Sequence, residues 1–292
     1  RRERRALIRK NQVPEADIEI RRIIGACLGR ALVHYPIDVY AIIIMASHLH
    51  LLHGGDSSNI SQFFSLFLHL VATEVNRHLG RQGKVFARRF HSAPCLDDDA
   101  ILQKFGYVHA NPCNANLVDR AADWPGLTSA RAVTTGEPLV FWYHDRTAYT
   151  HARHRGEKVT LDDFRREVTV AFAPLPLWAD LSAEEQRRRA AVVIEEAERR
   201  ARAKRVAEGK TVMPLERLLA TDPFDSPKKP RMTSPRPLCH ATDRVTFLAY
   251  REEYYAFCAA FHEASLAFRS GDRGAVFPPH GIPPSLLWVA AG

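Results

Sequence analysis

Two histidines one residue apart, His48 and His50, stand at the end of an apolar, β-branched run. The run Tyr40-Ala-Ile-Ile-Ile-Met-Ala-Ser-His-Leu-His-Leu-Leu52 is continuously apolar from Ala41 to Ala46 and alternates from Ser47 to Leu51. Such a pattern predicts one buried strand. Side chains alternate along a strand, so both imidazoles project to the same side. A buried imidazole whose nitrogens lack partners costs free energy, and a divalent cation would satisfy both rings at once. The chain has 14 His, so the pair can also arise by chance as two ordinary histidines.

A second set of residues lies further on. Asp97-Asp98-Asp99 offers a helix cap and first-turn negative charge. Ile101, Leu102, Phe105 and Val108 give the following helix an apolar stripe. Tyr107 falls roughly 150° from the middle of that stripe, at about 100° per residue. It is therefore expected off the core face, with Asn111 one turn on along the same face and Pro112 ending the helix nearby. Two readings stand: a nucleophilic phenol with an amide ligand beside it, or a boundary tyrosine.

Arg77, Arg81, Lys84, Arg88 and Arg89 then concentrate positive charge around Phe86 and Phe90. They fit a surface that tracks phosphates or a solvated basic loop. The net charge of +8 over 292 residues and a pI near 9.4 favour a polyanionic partner, nucleic acid first. The five cysteines, Cys27, Cys95, Cys113, Cys239 and Cys258, form no Cys-x-x-Cys pair. A zinc ribbon is not expected. Their odd number, with no apolar signal region after the basic N-terminus, predicts a reducing cytoplasm. No apolar run approaches the roughly 20 residues of a membrane span, and no Gly-rich phosphate loop implies ATP.

These groups need elements to hold them. Ile20, Ile23, Ile24, Cys27, Leu28, Ala31 and Leu32 predict a helix before the strand. Asn59, with Gln62 three residues on, predicts the cap of the next helix, whose stripe is Ile60, Phe63, Phe64, Phe67, Val71 and Val75. Residues 85–91 read as a strand or edge segment. The pattern loosens beyond Arg131, which places a linker at 146–160 between an N-terminal unit, 1–145, and a helical region, 161–292. Within that region a helix is expected from Asp162 to Phe172. A long one is expected from Ser182, with Glu185 completing its box, to about Glu208. The dense charge of this long helix suits a solvated face laced with ion pairs, or nucleic-acid contact. The Pro-rich, basic 228–237 reads as a connector. Phe247, Tyr250, Tyr254, Phe257, Phe261 and Ala264 predict a last helix that faces a core.

In order and spacing, several segments resemble the HUH single-tyrosine transposases, especially the REP-associated tyrosine transposase branch. They are Met45-Ala-Ser-His48-Leu-His50-Leu-Leu52, Gly83-Lys-Val-Phe86, Tyr107-Val-His-Ala-Asn111-Pro112, Leu117-Val118 and Trp124-Pro125-Gly126. The likeness covers roughly residues 13–130. It implies an α+β, ferredoxin-like antiparallel sheet with helices on one face. It implies that His48 and His50 hold Mg²⁺ or Mn²⁺, completed by Asn111, and that Tyr107 attacks single-stranded DNA to give a 5′-phosphotyrosine. The expected partner is hairpin-bearing single-stranded DNA, steered by Arg77, Arg81, Lys84, Arg88 and Arg89, with a homodimer allowed and no membrane involved. The alternative is a domesticated relative that binds structured single-stranded nucleic acid without cutting it. Two departures are visible: Ser47 stands where the family usually has Asn, and the first strand is reduced to at most Ala6-Leu7-Ile8.

Overall fold

The computed structural model describes residues 15–45, 48–55, 57–86, 90–214, 216 and 237–284. The chain falls into two compact units, Arg1–His91 with Leu102–Met232, and Ser92–Ile101 with Thr233–Gly292. In the first unit, helix α1 (Glu15–His34) leads into a hairpin of β1 (Asp38–Ile44) and β2 (Leu49–Gly54), followed by helix α2 (Ser57–His78). Helix α3 (Asp98–His109), the single turn α4 (Asn111–Asn114) and helix α5 (Ala130–Thr135) follow. A second antiparallel pair, β3 (Leu139–His144) and β4 (Arg165–Val170), flanks helix α6 (Arg146–His154), and helix α7 (Ala183–Ala207) comes next.

The predicted single strand is a hairpin. The apolar run supplies β1, which is buried from Val39 onward, and the alternating part supplies β2, which is half-buried throughout. The Met45 amide donates to the His48 carbonyl at 2.8 Å, just beyond the paired strand residues. A run apolar at every position suits a strand covered on both faces, whereas alternation suits a flanking strand. The change in pattern near Ser47 thus marks a boundary between strands.

Register decides which side chains share a face. Ile42 pairs with Leu51, Ile43 with His50 and Ile44 with Leu49. Ile42, Ile44, Leu49 and Leu51 enter the main core with the stripes of α1 and α2. Ile43 and His50 therefore project from the opposite face, where the ring of Tyr107 on α3 meets His50. Helices accordingly lie over both faces of this hairpin rather than one. Helix α1 also packs against β3 and β4. A Cβ on Gly25 would come within 2.3 Å of the Phe141 ring, so only glycine admits this approach.

The outer edge of β1 is also occupied. The Ile44 amide donates to Leu127 O at 2.8 Å, Ser129 N donates to Ile42 O at 3.0 Å, and Ala173 N donates to Val39 O at 3.0 Å. Trp124 fixes this segment in place, its indole N–H donating to the Ile44 carbonyl at 2.8 Å. A Cβ on Gly126 would stand 2.4 Å from that indole nitrogen. The Trp-Pro-Gly motif thus seals the β1 edge.

Other expectations met different outcomes. The stretch 146–160, read as a linker, contains α6. The helix expected over 162–172 is one 3₁₀ turn and then β4, because Val168 and Val170 alternate inward from a strand. Asn59 lies inside α2 rather than capping it, and its amide donates to Pro36 O. Of the expected strand at 85–91, the described residues, Val85, Phe86, Phe90 and His91, are not strand, and 87–89 lie outside the described residues. Helix α7 does begin at a Ser182 cap, whose hydroxyl accepts from Glu185 N at 3.2 Å. It packs against α4 and α5.

In the second unit, His240 bridges Cys95, and Asp97 accepts from both the amide and the hydroxyl of Thr242. Asp97 also caps α3 through Ala100 N, 2.7 Å away. Helix α8 (Arg244–Arg269) carries the final aromatic series. It was expected to be core, yet Tyr254 and Phe257 are exposed.

Candidate functional site

The hairpin and α3 converge on three rings. His48 and His50 lie edge to face with 5.0 Å between ring centroids. The His50 and Tyr107 rings meet at 5.5 Å, again edge to face. His48 sits in the turn immediately before β2 and His50 within it, so the alternation that puts both on one side is realised. Tyr107 is 44 % exposed, away from the core as its helical position requires. Its hydroxyl-bearing ring is open to a ligand arriving from solvent.

Burial pushes the His50 imidazole down to about 4, with the neighbouring positive charges of His48 and Lys104 adding to the effect. His50 is therefore neutral at ordinary pH and keeps a lone pair for a ligand. Lys104, one turn before Tyr107, holds its ammonium 5.4 Å from the Tyr107 ring centroid. The sequence reading missed this cation. Lys104 lies three residues before Tyr107, a helical spacing that shares its face as the spacing of four to Asn111 does.

Among the described residues, no group of three His, Cys, Asp or Glu side chains could hold a metal ion. The imidazole pair supplies two nitrogen donors, of which His50 is held neutral by burial. Two such donors would fill about a third of a six-coordinate sphere, and Mg²⁺ in particular prefers oxygen ligands and retained waters for the rest. Among the described residues, further ligands would be an amide, with water or a substrate oxygen beside it. Asn111 occupies the first position of α4 and is 7 % exposed. The ring contacts join the His pair to Tyr107 and do not include Asn111.

The basic residues differ in what holds them. Arg77 pairs with Glu74 on its own helix. Arg81 turns inward, donating to Asn76 Oδ1 at 3.0 Å, while Asn76 in turn donates to Gly83 O. Lys84 is exposed. Arg88, Arg89 and Ser47 lie outside the described residues. No helix among the described residues is long and apolar enough to cross a membrane, and none of the five cysteines is in a disulfide.

A further residue stands two positions beyond Tyr107 on the same helix. His109, on α3, is fully buried between the Phe105 carbonyl and the Ser129 hydroxyl, each 2.9 Å from a ring nitrogen. The sequence shows His109 only as part of the Tyr107–Pro112 motif. Nothing in its spacing relates it to Ser129.

No family model matches the chain, and no solved structure does. Over 103 residues the chain is 27 % identical to a curated protein of Haemophilus influenzae whose name assigns it to the REP-associated tyrosine transposases. The match covers 32 % of this chain and 58 % of that protein. The chain is thus distantly similar to a tyrosine transposase over about a third of its length.

Proposed function

We propose that the chain is a metal-assisted DNA strand transferase that cuts and rejoins single-stranded DNA through Tyr107. The observation that carries this reading is the single cluster of His48, His50 and Tyr107 rings, brought together from two elements distant in sequence. The distant similarity to a transposase supports it. The β1–β2 hairpin, bonded along both edges of β1, would belong to a ferredoxin-like core of the HUH type.

His48 and His50 would hold a divalent cation, Mn²⁺ or Mg²⁺, with Asn111 as the candidate amide ligand. Bound there, such an ion supplies polarisation of a nonbridging phosphate oxygen and neutralises charge on the leaving oxygen. The chain's own groups do the rest. Tyr107 presents its phenol at the surface, where its oxygen bonds to phosphorus as the bond from phosphorus to the 3′-oxygen breaks. The phenol proton passes to solvent, and the departing 3′-oxygen takes one up. The product is a 5′-phosphotyrosine and a free 3′-hydroxyl, and attack by a 3′-hydroxyl on the adduct reverses the step without external energy. Lys104 places a positive charge beside the ring, where a phenolate and a phosphate both gain from it. The basic residues Arg77, Arg81, Lys84, Arg88 and Arg89 would supply strand affinity rather than sequence choice.

The test is a covalent-adduct assay with hairpin-bearing single-stranded DNA and Mn²⁺. A denaturation-resistant protein–DNA species is expected, and it should be absent with Tyr107→Phe or a chelator. Salt-sensitive binding with no adduct from the wild-type chain would replace this reading with one of binding without cleavage.

A further inference from the structure

We infer that His109 is a positioning residue, whose clasp on Ser129 sets the depth and rotation of α3 and so holds Tyr107 against the imidazole pair. The inference rests on the strand-transfer reading for its functional meaning, but its geometry stands independently.

The hydrogen bonds have one consistent polarity. The Phe105 carbonyl can only accept, so the His109 nitrogen facing it at 2.9 Å, Nδ1, carries the ring proton. Nε2 then offers a lone pair to Ser129 Oγ at 2.9 Å, and the hydroxyl donates. That same oxygen accepts from the Ile42 amide at 2.9 Å. Ser129 N donates to the Ile42 carbonyl, which completes the grip on β1. The chain of donors thus runs from Ile42 through Ser129 to His109 and ends on α3 at Phe105. Ile42 is also the cross-strand partner of Leu51, the neighbour of His50 on β2.

The helix that carries the phenol and the hairpin that carries the imidazoles are therefore joined by directional bonds in a fully buried layer. Apolar packing alone lets a helix slide or roll at modest cost, whereas a satisfied buried network specifies one arrangement. His109 is two residues from Tyr107, so a roll of α3 that breaks the clasp also moves the phenol. The Phe105 ring, T-shaped on His109 at 4.5 Å between centroids, keeps the imidazole plane from turning. Trp124 and Gly126 press the Ser129 segment onto β1. The Tyr107–Pro112 and Trp124–Gly126 motifs, separate in sequence, thus meet in a single device.

Substitution by two amides tests the clasp. Gln at 109 places its amide near the position of Nε2 and can still meet Ser129, whereas Asn reaches only the position of Nδ1. His109→Asn and Ser129→Ala should each slow single-turnover adduct formation about tenfold or more, since a misplacement near 1 Å can cost about 100-fold. The DNA concentration for half-saturation should not change. His109→Gln should retain most of the wild-type rate. A second readout uses 3-fluorotyrosine placed at position 107 alone. Its ¹⁹F resonance should shift or broaden in His109→Asn and Ser129→Ala and stay near the wild-type position in His109→Gln. Equal rates for the Asn and Gln variants, or an unmoved resonance in His109→Asn, would overturn the inference. Should wild-type chain form no adduct, the strand-transfer reading fails, and the ¹⁹F comparison alone still decides whether the clasp positions Tyr107. If His109→Asn does not fold, Ser129→Ala, which leaves the ring in place, carries both readouts.

Discussion

The His50 ring is in contact with two others, His48 at 5.0 Å and Tyr107 at 5.5 Å between centroids, and is the middle member of the series. The two histidines are therefore not equivalent. His48 is exposed at the turn, whereas His50 is both a candidate ligand and the wall against which Tyr107 rests. His48→Ala and His50→Ala should each weaken Mn²⁺ binding at least about tenfold, as removal of even an outer partner of a metal ligand typically does. Only His50→Ala should also change the environment of Tyr107. Mn²⁺ titration followed by electron paramagnetic resonance, paired with ¹⁹F spectra of 3-fluorotyrosine at 107, separates the two effects. Equal ¹⁹F changes in both variants would contradict this division of roles.

Lys104 bears on both partners of that contact. Its charge helps to push the His50 imidazole down, and its ammonium stands 5.4 Å from the Tyr107 ring centroid. Lys104→Met keeps much of the stem and removes the charge. Single-turnover adduct formation should fall about tenfold, or about 1.4 kcal/mol in barrier. The His50 pKa should rise, because one source of repulsion on the imidazolium is gone. Quench-flow kinetics and a histidine NMR titration check the two outcomes, and an unchanged rate would remove Lys104 from the site.

The sequence placed the candidate side chains more clearly than the elements around them. Strict alternation over Ser47–Leu51 was enough to put His48 and His50 on one side, because strand periodicity is local. The angular offset of Tyr107 from its stripe likewise foretold an exposed ring. The turn between β1 and β2 was missed because Met45 and Ala46 extend the apolar run without a Gly or Pro to break it. β3 and β4 were missed because Phe141, Val168 and Val170 become core only against Gly25 and the rest of α1, a contact no local pattern announces. The pairing of His109 with Ser129 is invisible for the same reason: each residue is ordinary until β1 brings them together. The α8 aromatics show the opposite error, since helical spacing of Tyr254 and Phe257 reads as core whether or not a partner covers them.

Acid should destabilise the fold through the same histidines. His109 is held at about 4 by complete burial, against the opposing pull of the Phe105 carbonyl, and His50 is lowered in the same direction. A histidine in the unfolded chain titrates near 6.5. Below that value the unfolded state binds more protons than the native one, so stability is full above about pH 6.5 and falls as pH drops towards 4. For His109 alone the loss between pH 7 and pH 5 is about 2 kcal/mol. Urea unfolding at the two pH values should show it, and His109→Gln should have the shallower pH dependence. An identical slope in that variant would mean that His109 is not the group responsible.

The basic residues after α2 divide by what they already hold. Arg81 donates to Asn76 across the turn, and Asn76 holds Gly83, so Arg81→Gln should act first on stability, by about 1 kcal/mol for a charged hydrogen bond in a half-buried site. Lys84 is exposed on the same turn and is the better placed to meet a strand. Lys84→Gln should leave the urea midpoint unchanged and reduce the slope of log affinity for single-stranded DNA against log salt by about 0.7, the value for one phosphate contact. Fluorescence anisotropy over a salt series, alongside urea denaturation, distinguishes the two residues. If Arg81→Gln lowers the salt slope at constant stability, the strand runs along the turn itself. If Lys84→Gln changes neither quantity, the DNA path lies elsewhere on the surface.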